Sequence, residues 1–214
     1  MSQPIVRLVS ATPEAEKLIA YCARVSNPNN QNNPDATKLL RYCLKHGHYS
    51  IFEMANVVME INTTRAISAQ IIRHRSFSFQ EFSQRYAPAV SYAEAPELRG
   101  QDTTNRQKSI PFSEGSDAFY NAIKYQTRAQ VLFDGCRRLY EEMLADGIAK
   151  ECARNVLPLA TPTRLYMNGT VRSWLTYLDL RLGNGTQLEH QQIAIAAKEV
   201  LAGVVPSVCD AMWS

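Results

Sequence analysis

The chain has 214 residues, of which 45% are hydrophobic and 20% are charged. This composition is ordinary for a globular protein, and the length allows one large domain or a compact pair with a substantial core. A net charge of +3 is low for a dedicated nucleic-acid-binding protein, so it weakly favours a small anionic ligand over a polyanion.

The cysteine and histidine pattern favours neither a disulfide scaffold nor a metal site. The 5 cysteines include no CxxC pair. Their odd number and a strand-like N-terminus predict reduced thiols in a cytoplasmic protein. The 4 histidines and these cysteines lack metal-ligand spacing, so no metal is expected. No apolar run approaches the roughly 20 residues of a membrane span, so no membrane partner is expected either.

The first part of the chain predicts two helices between two strands. Alternating apolar and polar residues predict a strand over residues 5–10. A first helix is expected to start with Thr12 as its cap and to end near Ser26, and a second to run from Asp35 to Gly47. A further strand is predicted from about Phe52 to Ile61.

A polar cluster of His48, Ser50 and Glu53 lies at the mouth of this second strand. Polar groups in such a position often bind ligands. His48 alone is more typical of a structural histidine, so the interpretation depends on the three residues together. A helix-like run over residues 64–72 follows, and it places Gln70 and the next arginine, three residues on, on one face.

The segment RHRSFSFQEFSQRY, residues 73–86, is called the signature segment below and is the richest in chemistry. It holds four cationic or potentially cationic groups and one carboxylate, namely Arg73, His74, Arg75, Arg85 and Glu81. Such groups repel one another unless an anion lies among them, and the arginine fork matches a phosphate or carboxylate. The segment therefore predicts a phosphorylated ligand, although charge alone leaves a solvated basic loop that contacts nucleic acid equally open.

Aromatic residues interleave with these charges, at Phe77, Phe79, Phe82 and Tyr86. They predict that the segment is partly buried, and buried arginines need anionic or carbonyl partners. A glutamine beside an arginine, as at Gln70, offers an amide edge together with a charge. These features favour a nucleotide as the ligand.

The second half of the chain predicts mostly helices. Residues 97–116 are polar and contain glycine and proline, so they are expected to form a loop insertion with the character of a lid. The longest helix starts at Asp117 and has apolar residues at spacings of four and three, which fits packing on its own core or against another subunit. A short helix carrying Arg154 then precedes a strand over residues 163–170.

The last two predicted helices hold the remaining candidates. On the helix that begins at Arg172, this residue and Thr176 share a face, whereas Arg181 points nearly the opposite way. If both arginines bind ligands, they bind different ligands or sites in different copies of the chain. The final helix is predicted over residues 187–201, and its His190 is expected at the surface or in an interface.

The fold class that these elements predict is α+β, with one domain over residues 1–214. A small mixed or antiparallel sheet is expected to carry helices packed on one side. The long helices are expected to lie at a subunit interface.

The signature segment resembles the signature of the flavin-dependent thymidylate synthases. Arg73-His74-Arg75, then seven residues, then Ser83 and Arg85-Tyr86 have that family's spacing. The resemblance covers nearly the whole chain, including Gln187 and Glu189. It implies a homotetramer whose active sites are each assembled from several chains, with small-molecule substrates and no nucleic-acid partner.

The reaction that the resemblance implies is reductive methylation of dUMP to dTMP, with methylenetetrahydrofolate as carbon donor, FAD as hydride carrier and NADPH as reductant. The implied dUMP-binding residues are Gln70, Ile71, Ile72, Arg73, Glu81, Phe82, Ser83, Gln84, Arg85, Arg154 and Arg181. The implied FAD-binding residues are His48, Ser50, Glu53, Arg73, His74, Arg75, Glu81, Thr170, Val171, Arg172 and Thr176. Arg181 is the implied catalytic residue, because a guanidinium can favour an ionised uracil by charge and hydrogen bonding.

Ser83 is the most obvious candidate nucleophile, but the sequence supplies no base for it, so a binding role is favoured. The chain departs from the family pattern at five positions. Met54 and Gly185 stand where the family has histidines, Thr170 and Thr176 replace asparagines, and Gln84 replaces a glycine. A threonine keeps one donor where an asparagine has two. The flavin contacts are therefore expected to differ more than the dUMP contacts.

Two other functions remain open. A non-catalytic protein could bind nucleotides or nucleic acid through residues 73–86. A flavoprotein of the same fold could oxidise NADPH without methyl transfer. Substitution of Arg181 separates the latter from the synthase, because only the synthase loses dTMP formation while it keeps its flavin.

Overall fold

The computed structural model describes residues 5–183 and 185–213. The strands are β1 Val6–Ala11, β2 Asn56–Thr64, β3 Ser78–Glu81, β4 Gly100–Gln101, β5 Ser109–Ile110 and β6 Pro162–Thr170. Four of them form an antiparallel sheet in the order β1-β2-β6-β3, and β4 pairs with β5 in a small hairpin. The sheet is thus antiparallel, and the predicted loop insertion contains a hairpin.

The described residues form eight α-helices. They are α1 Ala15–Ala23, α2 Thr37–Lys45, α3 Arg65–Ile71, α4 Asp117–Ala145, α5 Lys150–Ala153, α6 Val171–Arg181, α7 Leu188–Val204 and α8 Pro206–Trp213. Of these, α3, α6 and α7 pack against the sheet. The predicted helices are present, and the α+β class is confirmed. The helix α8 was not predicted, because its 8 residues are too few to show a clear hydrophobic period.

Two predicted boundaries are wrong for local reasons. The strand β2 begins at Asn56 rather than near Phe52, because Tyr49–Glu53 forms a 3₁₀ turn. Thr12 does not cap α1, because its Oγ1 accepts a hydrogen bond from the Asn56 N–H at 2.9 Å. Glu14, at φ 48°, occupies the position before that helix.

The core lies between the helices and one face of the sheet. Alternate side chains of β2 and β6 are fully buried there, among them Val57, Met59, Leu165 and Met167. The helices α3, α6 and α7 pack against these strands. The indole N–H of Trp174 on α6 donates to the Val57 carbonyl at 3.1 Å, which ties helix to sheet.

The long helix α4 stands apart from this core. Tyr140 is its one buried residue, so the expectation that its apolar stripe packs on the chain's own core is wrong. Its exposed apolar residues are Tyr120, Ile123, Tyr125, Val131, Leu132 and Leu139. The alternative, contact with another subunit, stays a prediction.

The substitution Gly169→Ala should destabilise the fold. Phe77 packs directly on this glycine, and an added Cβ would lie 2.4 Å from the Phe77 Cδ1 atom. Overpacking of this kind costs about 1–3 kcal/mol. Urea unfolding at fixed protein concentration measures the loss.

The matched control is Gly203→Ala on α7, where an added Cβ meets nothing within 4 Å. Because alanine favours helix over glycine, this variant should gain up to about 1 kcal/mol. Equal stability of the two variants would contradict the described contact between Phe77 and Gly169.

Candidate active site

The first half of the signature segment is held by aromatic packing. Thr64 caps α3 by accepting from the Ile67 N–H, and the helix ends at Ile71, so Arg73 lies beyond it. The prediction that Gln70 and Arg73 share a helical face is therefore wrong. Phe77 is buried and meets the Trp174 ring edge-on at 5.0 Å between centroids.

This packing leaves the flanking cations in solvent. Arg73 and Arg75 are exposed, and among the described residues neither forms a hydrogen bond or ion pair. Phe79 and Phe82 are half-buried, but Tyr86 is 84% exposed. Partial burial of the segment is confirmed except at its end, and among the described residues no anionic side chain pairs with Arg73 or Arg75.

His74, a candidate for binding FAD, is in direct contact with Arg181, the candidate catalytic residue. Arg181 Nε donates to His74 Nε2 at 3.0 Å. Burial, followed by the charges of Arg181 and Arg73, lowers the pKa of His74. The imidazole is therefore neutral near pH 7, with Nε2 as acceptor and its proton on Nδ1.

Gln70 is half-buried and joins a hydrogen-bonded group with the buried side chains of His190 and Tyr177. His190 is fully buried; its Nδ1 lies 3.3 Å from Gln70 Oε1 and its Nε2 lies 3.0 Å from the Tyr177 hydroxyl. The expectation of a surface or interface histidine is wrong. No sequence spacing indicates this group, because its members come from α3, α6 and α7.

Burial sets the ionisation of the same group. It lowers the pKa of His190 to about 4, with smaller contributions from Arg181 and His74. Burial also raises the pKa of Tyr177. A neutral imidazole and a protonated phenol are therefore the forms present near pH 7.

The FAD candidates collect at the start of α6. Arg172 Nη1 donates to Glu53 Oε1, and Thr170 caps α6 by accepting from the Ser173 N–H at 3.2 Å. Ser173 Oγ in turn donates to the Ser76 carbonyl at 3.1 Å. This links the 3₁₀ turn, the signature segment and α6 in one region.

Some candidates are placed less favourably for direct side-chain contact with a ligand. The side chains of Ile71 and Val171 are fully buried in the core, and Gln84 is 6% exposed. Thr176 is exposed, but its hydroxyl donates to the Arg172 carbonyl one turn earlier at 3.1 Å. His48 and Ser50 are exposed next to the Glu53 turn.

Glu81 is held by residues that the sequence analysis did not identify. Its Oε1 accepts from Ser68 Oγ at 2.8 Å and from Thr163 Oγ1 at 2.9 Å, and Arg65 Nη1 lies 3.1 Å away. Arg65 also donates to the Phe82 carbonyl at 2.8 Å. These bonds fix β3 and its continuation relative to α3 and β6.

The remaining dUMP candidates form a separate group. Arg85 Nη2 lies 3.3 Å from Glu151 Oε2, and Arg154 is in the 3₁₀ turn that follows α5. Ser83 Oγ accepts from the Arg85 N–H at 3.4 Å. Within the described ranges, no hydrogen bond or ion pair joins this group to Gln70 or Arg181.

The described part of the chain holds neither a candidate metal cluster nor a candidate membrane-spanning helix. In residues 5–183 and 185–213, no three His, Cys, Asp or Glu side chains are grouped so that they could hold a metal ion. Over the same residues, no helix combines the length and apolar character that crossing a membrane requires.

Comparison with known proteins matches the chain along almost its whole length. A family model described as "Thymidylate synthase complementing protein" matches residues 7–207. A flavin-dependent thymidylate synthase from Synechocystis sp. is 51% identical over 99% of this chain and 96% of its own. A probable flavin-dependent thymidylate synthase from Paramecium bursaria Chlorella virus 1 is 47% identical, and the match covers 99% of this chain and 95% of the viral protein.

The fold also matches a solved structure. The UMP/dUMP methylase PolB from Streptomyces cacaoi, bound with 5-Br dUMP, superposes with a TM-score of 0.82. The superposition covers 98% of this chain and 94% of the methylase chain, and the two sequences are 24% identical. At this identity the likeness establishes the shared fold.

The buried His190 should make stability fall in acid. Its pKa is lowered from 6.5 to about 4 in the folded state, so the unfolded chain binds the proton first as the pH falls below 6.5. The free energy of unfolding therefore keeps its full value above pH 6.5. It falls by about 3 kcal/mol as the pH drops from 6.5 to about 4.

The His190→Gln variant should lose less stability than the parent chain over the same pH range, as measured by urea unfolding from pH 4.5 to 7.5. His46→Gln changes an exposed histidine and is the matched control, expected to follow the parent. Identical acid dependence in all three proteins would show that His190 does not titrate as its burial requires.

Proposed function

We propose, because this chain belongs to the family of flavin-dependent thymidylate synthases, that it catalyses the reductive methylation of dUMP to dTMP. The relatives that carry this name match 99% of the chain, so it is an enzyme of this family and uses a flavin. The observation that carries the proposal is the contact of Arg181 with a neutral His74 beside the unpaired Arg73 and Arg75. Methylenetetrahydrofolate as carbon donor and NADPH as reductant are further parts of the proposal.

The residues at the start of α6 fit FAD. Arg73 and Arg75 are exposed cations without a described protein partner, and guanidinium forks suit a pyrophosphate. The Ser173–Ser76 hydrogen bond keeps this segment beside the N-terminus of α6, which also favours an anion. When bound, the flavin supplies hydride-transfer chemistry.

Arg181 and Gln70 would hold and activate dUMP. The Nε of Arg181 donates its hydrogen bond to His74, and within the described residues the two Nη groups of Arg181 form no hydrogen bond. A fixed guanidinium can stabilise the ionised uracil by charge and by hydrogen bonds. Ionisation makes carbon five of the ring electron-rich, so the enzyme needs no nucleophile of its own.

The surroundings of Ser83 support a binding role. Its Oγ accepts from the Arg85 N–H, and none of the described histidines or carboxylates bonds to it. A serine nucleophile needs an adjacent base to take its proton. Ser83 and Arg85 are thus better suited to the phosphate or base of dUMP than to covalent attack.

A homotetramer with shared sites accounts for two features of the single chain. The dUMP candidates around Arg85 and Arg154 have no hydrogen bond to those around Arg181 within the described residues. The apolar side chains of α4 are exposed, with Leu132 at 68%. So many exposed apolar side chains on one helix favour association with another chain. Packing of α4 between copies would bury them and could bring the two groups together.

The direct test is dTMP formation by purified protein supplied with FAD, dUMP, methylenetetrahydrofolate and NADPH under low oxygen. Product that disappears when FAD or NADPH is omitted would support the proposal. Bound flavin without product would indicate a flavoprotein that lacks methyl transfer. Neither flavin nor product, with a steep salt dependence of nucleic-acid binding, would favour the non-catalytic alternative.

Replacement of Arg181 by glutamine should abolish most dTMP formation. The charge that favours ionised uracil is lost, and removal of such a group typically lowers turnover about 100-fold or more. Flavin absorbance should persist, because the flavin candidates lie mainly at the other end of α6. Arg41→Gln, an exposed arginine on α2 that pairs with Asp210, is the control and should keep full activity.

Replacement of Leu132 by aspartate should dissociate the tetramer and lower activity with it. A charge in a buried subunit contact is unfavourable, and each site would lose the residues of the second chain. Light scattering reports the mass, and the dTMP assay reports the function. Val25→Asp changes a residue of similar exposure, 69%, and should leave both unchanged; a tetrameric, active Leu132→Asp protein would contradict the α4 interface.

A further inference from the structure

The insertion over residues 97–116 is connected to the candidate active site by side-chain hydrogen bonds. Arg99, whose side chain is 9% exposed, donates through Nη2 to Glu189 Oε1 and through Nε to Ser109 Oγ at 2.8 Å. Gln187 Nε2 donates to Glu189 Oε2 at 2.9 Å. Gln70 Nε2 donates to Gln187 Oε1 at 2.7 Å. Arg99 is thereby linked to Gln70, a dUMP candidate.

The insertion is anchored on both sides of this connection. The Ala95 N–H donates to Gln130 Oε1 of α4 at 2.9 Å, and Gln126 Nε2 donates to the Ala95 carbonyl at 3.2 Å. At the hairpin loop, Gln107 lies over Gly185, where an added Cβ would be 3.5 Å from Gln107 Oε1. The hairpin therefore occupies the space in front of a residue that is a histidine in the family pattern.

The hydrogen bonds in this connection can run in only one direction while Glu189 is ionised. A carboxylate only accepts, so Gln187 must present its amide nitrogen to Glu189 and its oxygen to Gln70. Gln70 must then present its nitrogen to Gln187 and its oxygen to the Nδ1–H of His190. The Tyr177 hydroxyl completes the series by donating to His190 Nε2.

Arg99 keeps the accepting end charged. Burial works against ionisation of Glu189, but the hydrogen bonds from Arg99, its own backbone and Gln187 outweigh it, so the net pKa is lowered. Without the charge, either amide could rotate by half a turn at little cost. The Gln70 amide would then present an acceptor where it now presents a donor.

We propose that Arg99 and Glu189 are positioning residues that fix the orientation of the Gln70 amide toward dUMP. This inference rests on the proposed function. It gives the insertion a role in the synthase reaction: the hairpin supplies the cation that orients a substrate-binding amide from outside the substrate site.

The test compares Glu189→Gln, Arg99→Met and Arg99→Lys with the parent enzyme. Glutamine at 189 can accept or donate, so Gln70 is no longer fixed and the KM and calorimetric Kd for dUMP should rise about tenfold. Because the reacting groups are untouched, kcat should stay within about twofold. Arg99→Met should behave in the same way, and Arg99→Lys, which keeps the charge, should restore the parent KM to within about threefold.

Glu97→Gln is the matched control, because Glu97 also lies beside Arg99 but is 68% exposed and outside the series. Its KM should equal that of the parent. A lower melting temperature with unchanged Kd in both Glu189→Gln and Arg99→Met would show a purely structural role and overturn the proposal. A fall in kcat at constant KM would also overturn it. If Glu189→Gln does not fold, Arg99→Met decides.

The same measurements separate this inference from the proposed function. A parent protein that binds dUMP without forming dTMP would disprove the synthase function, while the Kd values of the variants would still decide the positioning role. A parent protein that neither binds dUMP nor forms dTMP would overturn both.

Discussion

The antiparallel pairing of β2 with β6 determines where the candidate active site forms. The two strands pair over 9 residues each, with Asn56 opposite Thr170 and Thr64 opposite Pro162. Each strand leads directly into a helix that is capped by its last threonine, α3 after Thr64 and α6 after Thr170. Because the strands run in opposite directions, the two helices start at opposite ends of the sheet and run toward each other over the same face.

That geometry explains why residues more than one hundred positions apart meet. The end of α3 and the turn after it carry Gln70 and His74, and the end of α6 carries Arg181. The Arg181–His74 contact joins these two ends. The start of α6, one helix length away, holds Glu53, Thr170 and Arg172 beside the signature segment. The helix α6 thus carries flavin candidates at its start and Arg181 at its end, where His74, itself a flavin candidate, lies against Arg181.

The charges around His74 favour an anionic ligand, because the carboxylate of the signature segment is already paired elsewhere. His74 lies among guanidinium groups and is kept neutral by burial and by their charges, which removes one source of repulsion. Arg73 and Arg75 remain charged and exposed without a described partner. Glu81, the carboxylate of the segment, is already held by Ser68, Thr163 and Arg65. The positive charge of Arg73 and Arg75 therefore has no described protein partner and favours an anionic ligand.

The local pattern of the sequence determined most of the secondary structure and the family of this protein. Hydrophobic period and capping residues predicted most helices and strands, since those signals act within a few residues. The spacing from Arg73 to Tyr86 pointed to the family that the comparisons establish. Only the tertiary structure placed His190 in the core with Gln70 and Tyr177, paired Glu81 with Arg65, and connected Arg99 to Glu189. Those partners come from elements distant in sequence, and a hydrogen bond between distant elements depends on how strands and helices pack, which no local spacing records.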